Sequence, residues 1–253
     1  MFKVYYIMHS CFIVELEDRY LLFDYFNKEV VADTVQFNGS LLQFDSDKKL
    51  YVFASHSHKD HWWLEILRMA DSRKNIKFIL SKDIRLGRNY LIRNGFDISI
   101  KEYIQFVSPL NKYRIDDMEI ETLRSTDAGV AFVVSTLGKI IYHAGDLNWW
   151  NAKGRGELYG ELYGRDYKRA LKSLENKKVD IAFVVLDPRL GEEGYYLGMD
   201  YFIKNIECDY IFPMHMWGEY KWIDRFKSRP DIALLKDKVI DIDRENMIFE
   251  IED

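Results

Sequence analysis

The stretch Ser55-His56-Ser57-His58-Lys59-Asp60-His61 holds three of the chain's six histidines, set between Tyr51-Val52-Phe53-Ala54 and Trp62-Trp63-Leu64. An apolar strand is expected to end where this run begins. Residues two apart on extended backbone point to the same side, so His56 and His58 can share one divalent cation. Asp60 and His61 are adjacent and diverge, so they can face a second ion. Imidazole and carboxylate donors with no thiolate nearby suit zinc first, with manganese and iron as rivals. The plain alternative is a solvated loop that happens to be rich in histidine. Three histidines pinned between a hydrophobic strand and a paired-tryptophan helix start argue against it.

Outward from this run, the first half reads as short apolar segments separated by turn signals. Strands are expected over Phe2 to Ile7, Cys11 to Leu16, Tyr20 to Asp24, Leu50 to Ala54 and Ile76 to Leu80. Helices are expected from Trp62 to about Met69 and from Asp83 to Arg93, the latter stopping at Asn94-Gly95. Later strands are expected over Met118 to Leu123, Val130 to Thr136, Lys139 to His143, Ile181 to Leu186 and Tyr210 to Phe212. Helical spacing marks Asp166 to Leu174 and Trp217 to Phe226. Hairpins first, then helices, then a second strand-rich run predict an α+β fold, a four-layer αββα sandwich, over a doubly wound parallel sheet. Four prolines and no Ser/Gly-rich linker mark no boundary, so one domain over 1–253 is expected. The tandem unit within Gly156-Glu157-Leu158-Tyr159-Gly160-Glu161-Leu162-Tyr163-Gly164 reads as a glycine-punctuated surface loop, a candidate flap.

Composition bounds the function. Hydrophobic residues at 48% suffice for a sizeable core. A net charge of -5 gives no global basic field, so nucleic acid is not the expected partner. Cys11 and Cys208 are too few for a disulfide framework and too far apart for a zinc pair, and read as reduced core thiols of a cytoplasmic protein. The apolar start, Met1 to Met8, is followed by no small-residue cleavage site and reads as the first strand. No apolar run reaches the ~20 residues that cross a bilayer, so no membrane partner is expected; the sequence is silent on oligomeric state.

His56-Ser57-His58-Lys59-Asp60-His61 resembles the H-x-H-x-D-H signature of the metallo-β-lactamase superfamily. His9-Ser10-Cys11-Phe12 followed by Leu21-Leu22-Phe23-Asp24 resembles the opening of the branch related to ascorbate-phosphate lactonase. Ile141-Tyr142-His143-Ala144-Gly145-Asp146 and Phe212-Pro213-Met214-His215 are similar to the family's later motifs. The resemblance implies that His56 and His58 hold a first metal, Asp60 and His61 a second, that Asp146 bridges them and that His215 completes the second site. Read without it, Asp146 is a turn or cap residue and His215 a core histidine. The chain departs from the family pattern in Arg124-Ser125-Thr126-Asp127-Ala128-Gly129, where another first-site histidine is expected. Asp127 is either an oxygen ligand in its place, which would shift preference toward manganese or iron, or an ordinary turn residue. His9 and His143 either orient ligands or contact substrate, or are strand-end histidines bonded to backbone.

Two close divalent cations supply hydroxide near neutral pH, and hydrolysis follows, with Asp60 and Asp146 orienting the nucleophile. The resemblance implies a small ester, lactone or phosphorylated metabolite as substrate. The alternatives are a nucleic-acid phosphodiesterase of the same superfamily and a decayed scaffold that binds a metabolite. Arg189 either grips a substrate anion or pairs with Asp187 or Glu192. Trp149, Trp150, Trp217 and Trp222 are candidates for a pocket wall or for core.

Overall fold

The computed structural model describes residues 2–31, 35–151 and 156–252. They divide into two compact units, one running up to Ser108 and resuming at Glu245, the other spanning Pro109–Arg244.

The first unit contains strands β1 (Phe2–Met8), β2 (Cys11–Glu15), β3 (Arg19–Phe23), β4 (Lys49–Ala54), β5 (Ile76–Ser81) and β6 (Ile104–Val107). The expected helix after the histidine run forms as a 3-10 segment, Leu64–Arg68, running into α1 (Met69–Ser72), and the next shortens to α2 (Arg88–Arg93). The second unit holds β7 (Lys112–Ile115), β8 (Met118–Arg124), β9 (Val130–Thr136), β10 (Lys139–His143), α3 (Glu157–Leu171), β11 (Val179–Val185), α4 (Leu197–Asn205), β12 (Cys208–Met214) and α5 (Lys221–Lys227). The chain then returns to the first unit as β13 (Met247–Ile251).

Each unit is built on a mixed sheet, in the orders β13-β1-β2-β3-β4-β5-β6 and β12-β11-β10-β9-β8-β7. With their flanking helices they give the α+β class expected from the sequence. Strands β3 to β6 run parallel, as do β10 to β12. This explains why β3, β4 and β11 are nearly continuous apolar runs, since strands in the middle of a parallel region are covered on both faces. It also sets the chemistry. The carboxyl ends of parallel strands emerge side by side, so the residues just past β3 and β4 meet, and so do those just past β10, β11 and β12.

One expectation is overturned. The tandem Glu-Leu-Tyr-Gly segment is not a loop but the first half of α3. Gly160 and Gly164 stand one turn apart, on one side of the helix. A Cβ on Gly164 would lie 2.3 Å from the Trp149 ring, and one on Gly160 would lie 2.3 Å from the Asn151 side chain. Trp149 Nε1 donates to the Gly160 carbonyl at 2.8 Å. The glycines admit a close neighbour rather than break the helix. Trp149 lies against α3; Trp222 lies against Tyr195, ring centroids 4.7 Å apart.

Cys11 and Cys208 are free and buried. Burial is the main cause that pushes the Cys208 thiol up to about 12 and the Cys11 thiol well above its ordinary value. Both should resist a thiol-labelling reagent in the folded chain and react fully in denaturant. The folded state keeps the Cys208 proton that the unfolded chain releases near 9, so this thiol's contribution to stability erodes as pH rises through that window. The slope is at most about 1.4 kcal/mol per pH unit. Urea midpoints near pH 8 and pH 10 check this: Cys208→Ala should flatten part of the loss.

Candidate functional site

In the first unit, Asp24 follows β3 and Ser55 follows β4, and the Asp24 amide donates to the Phe53 carbonyl at 2.9 Å. The Asp24 carboxylate is fully buried and accepts three bonds: the Ser55 amide at 2.7 Å, the Ser55 hydroxyl at 2.6 Å and His61 Nδ1 at 2.8 Å. These fix the proton order. The single Ser55 hydroxyl proton goes to the carboxylate, which only accepts. Ser55 Oγ, 2.9 Å from His56 Nδ1, must therefore accept the His56 proton. In their neutral forms His56 and His61 therefore carry the ring proton on Nδ1 and leave Nε2 as the lone-pair nitrogen, on the side away from Asp24.

The remaining residues of the run turn toward those atoms. The amides of His61 and Trp62 donate to the His58 carbonyl, forming a turn after His58, and the Ser57 amide is anchored on Asp83 at 2.8 Å. His58 Nδ1 comes within 2.9 Å of His56 Nε2, so the two imidazoles converge as a shared cation requires. Asp60 Oδ2 lies 3.8 Å from His61 Nε2 and 3.5 Å from His9 Nε2. The candidate ligand atoms of His9, Asp60 and His61 fall within 4.8 Å of one another. His9 thus stands with the candidate second-ion set, a placement the sequence leaves open.

The second unit repeats the design with different residues. His215 follows β12, and its Nδ1 sits 3.0 Å from the Asp187 carboxylate, which follows β11. Arg189 grips the same carboxylate with Nε at 3.0 Å and with a terminal nitrogen at 2.6 Å, while its guanidinium lies 4.2 Å from the Trp217 ring centroid. Burial alone would raise the Asp187 pKa. The bonds from His215 and Arg189 outweigh it and hold the carboxyl well below the usual carboxylate range. With Nδ1 engaged, His215 turns Nε2 toward Asp146, whose Oδ1 is 3.4 Å away. Asp146 and Asp127 bring carboxylate oxygens within 4.8 Å of each other. Their loops are tied by Thr126, whose hydroxyl donates to the Asn148 carbonyl at 2.7 Å and accepts from the Asn148 amide at 3.0 Å. Trp150 and Trp217 pack edge-on to His215. His143, at the end of β10, is buried and accepts the Gly145 amide on Nδ1 at 3.1 Å, the backbone-bonded arrangement.

Strained backbone positions occur here. His9, Asp24, His215 and Trp217 all adopt positive φ, between 46° and 65°. This left-handed region costs a non-glycine residue on the order of 1–3 kcal/mol, and persists where surrounding contacts over-determine the conformation.

The donor set in each unit is imidazole nitrogen and carboxylate oxygen. His61 and His215 are each backed by a buried carboxylate on Nδ1, the arrangement that fixes the tautomer of a metal-ligating histidine. The residues therefore fit a divalent cation, with zinc, manganese and iron all compatible. Asp24, Ser55 and Asp187 as orienting groups are what sequence reasoning missed. The available signal was a charged residue closing an apolar strand of a parallel region.

Comparison with known proteins bears on the family and the fold. A sequence profile described as a β-lactamase superfamily domain matches residues 3–154. A search of curated proteins finds no match. The chain is similar in structure to a metallo hydrolase from the hyperthermophilic archaeon Ignicoccus hospitalis, with TM-score 0.54, 19% identity and 99% of both chains covered. It is similar to a possible metal-dependent hydrolase from Veillonella parvula, with TM-score 0.62, 12% identity, 99% of this chain and 100% of that one covered. It also resembles CmlA, a diiron β-hydroxylase from Streptomyces venezuelae, with TM-score 0.60 and 13% identity, covering 99% of this chain and 54% of that one. Likeness at these identities speaks to the fold.

Proposed function

From the premise that the chain belongs to the β-lactamase superfamily, we propose that it is a metal-dependent hydrolase that cleaves a small ester, lactone or phosphorylated metabolite in a single domain over 1–253. The ligands in this reading are His56, His58 and Asp127 for a first ion, Asp60, His61 and His215 for a second, with Asp146 serving both. His9 joins them as a further candidate ligand beside Asp60. The observation that carries the proposal is the carboxylate on the rear nitrogen of His61 and again of His215, since a histidine held this way has its other nitrogen ready as a ligand.

Bound divalent metal would polarise the scissile oxygen and make hydroxide available near neutral pH. The chain's own residues do the rest. Asp24 and Ser55 set the tautomers of His56 and His61, and Asp187 sets that of His215. Asp60 and Asp146 orient the attacking water by accepting its hydrogen bonds. Asp127 stands where the family pattern has a histidine, and an oxygen donor there supports manganese or iron as rivals to zinc. The free thiols support a cytoplasmic setting.

Elemental analysis of purified protein, with turnover of chromogenic ester, lactone and phosphomonoester substrates, tests the reading. Bound metal is expected, with turnover in at least one substrate class. His58→Ala and Asp146→Asn should each lower that turnover by about a hundredfold or more, and Asp127→Ala should lower metal content. A chain that takes up neither zinc, manganese nor iron would overturn it.

A further inference from the structure

Of the four tryptophans that the sequence leaves between pocket wall and core, Trp149 packs against α3 and Trp222 against Tyr195, while Trp150 and Trp217 both stand against His215. The chain after Asp146 explains the first of these. Gly198 admits Asn148, whose Oδ1 lies 2.0 Å from where a Cβ would be, and Gly194 admits the Asn151 carbonyl oxygen, 2.3 Å from where a Cβ would be. With Gly164 against the Trp149 ring, the neighbours of Trp150 on both sides are held in close-fitting places. Trp150 itself meets His215 with ring centroids 5.9 Å apart and planes at 70°, and its Nε1 donates to the Asp146 carbonyl at 3.1 Å.

Trp217 reaches the same imidazole two residues past it, with centroids 5.5 Å apart and planes at 90°. Its backbone takes a φ of 54°, and the Arg189 guanidinium lies 4.2 Å from its ring centroid. A non-glycine residue keeps such a conformation where its contacts hold it there. Each indole is thus fixed by a partner of its own. Neither belongs to the core: both are half-buried, while the His215 they touch is 1% exposed. Neither lies stacked on the imidazole, so His215 takes up little of either π face. A flat unsaturated group can form an offset or edge-to-face pair with an indole, and a puckered saturated group of the same size cannot.

We propose that Trp150 and Trp217 set substrate specificity, receiving a flat unsaturated or aromatic group carried beside the scissile bond. The inference rests on the hydrolase reading and narrows it to an ester or lactone that bears such a group. Because Trp150 is bonded to the backbone of Asp146 and Trp217 lies beside His215, the flat group is held next to the residues that would hold metal and water.

Calorimetric titration of the purified protein with 2-phenylacetamide and 2-cyclohexylacetamide, uncharged and slow to hydrolyse, tests this by binding alone. The cyclohexyl compound is the more hydrophobic, so burial of apolar area by itself favours it. The expected result is the reverse, with the phenyl compound bound about tenfold tighter. Trp150→Leu and Trp217→Leu should each cut that preference to about threefold and together abolish it. Trp150→Phe and Trp217→Phe should keep most of it, which a merely structural role for the indoles would not produce, and Trp222→Phe should leave it whole. A chain that turns over esters yet shows no such preference fails this inference and keeps the hydrolase reading. A chain that shows the preference but turns over no ester keeps the indole site and loses that reading. Failure of the phenyl compound to bind, equal or tighter binding of the cyclohexyl compound, or a preference that survives loss of both indoles would each overturn the proposal.

Discussion

Asp24→Ala is expected to strip the chain of most of its bound metal and to lower hydrolytic turnover by about a hundredfold or more, although Asp24 is itself no ligand. One buried carboxylate sets two histidines: His61 directly at 2.8 Å and His56 through the Ser55 hydroxyl. Without it, His61 Nδ1–H and the Ser55 amide lose their acceptor in a fully buried place, at roughly 1–3 kcal/mol for each unsatisfied group. The Ser55 hydroxyl is then free to donate to His56 Nδ1, which puts the proton on the ligating nitrogen. Both imidazoles lose the tautomer that metal binding needs. Ser55→Ala should be milder, because it cuts only the His56 branch. Metal per chain by elemental analysis, read beside the thermal midpoint, separates the outcomes. Full metal content in a folded Asp24→Ala chain would show that the carboxylate does not set the ligands.

Much of this site was legible in sequence because its signal is local. His56, His58, Asp60 and His61 lie within one loop, and the apolar run before them marks the strand that aims it. Asp24 and Asp187 were not legible as orienting groups, because they meet their histidines across 37 and 28 residues, through parallel strands whose pairing no local pattern encodes. The fold divides the same way. Strands such as β4 and β9 declare themselves as buried apolar runs. β6 and β7, four residues each and lying at sheet edges, have too little pattern to read. β13 pairs with β1 from the far end of the chain. The two missed helical stretches share a cause. Gly160, Gly164 and Gly198 lower helix propensity, yet each sits where a neighbour presses in, Asn148 Oδ1 in the case of Gly198. Propensity reads such glycines as breaks, whereas packing uses them as clearance.

Asp187→Ala is the mirror of the first variant in the second unit, and its expected effect is confined to the ion that His215 serves. His215 Nδ1 would lose its partner, its ring would be free to turn, and affinity at that ion should fall by about ten- to a hundredfold, while the His56 and His58 pair stays intact. Arg189 should matter much less. Its guanidinium is half exposed, so the charge it lends Asp187 is screened, and Arg189→Gln should cost only a small part of the Asp187 effect. The pH behaviour follows from the depressed Asp187 carboxyl. A group whose folded pKa lies below its ordinary 3.8 gives stabilisation that is whole above that value and is lost only as pH falls beneath it. Asp187 therefore stays ionised through the neutral range, and any acid limb of activity between pH 5 and 7 belongs to other groups. Competition of the variant with a chromogenic chelator, in which one ion is released early and the other late, would bear out a divided site. Loss of both ions together would mean that the two sets of ligands stand or fall as one.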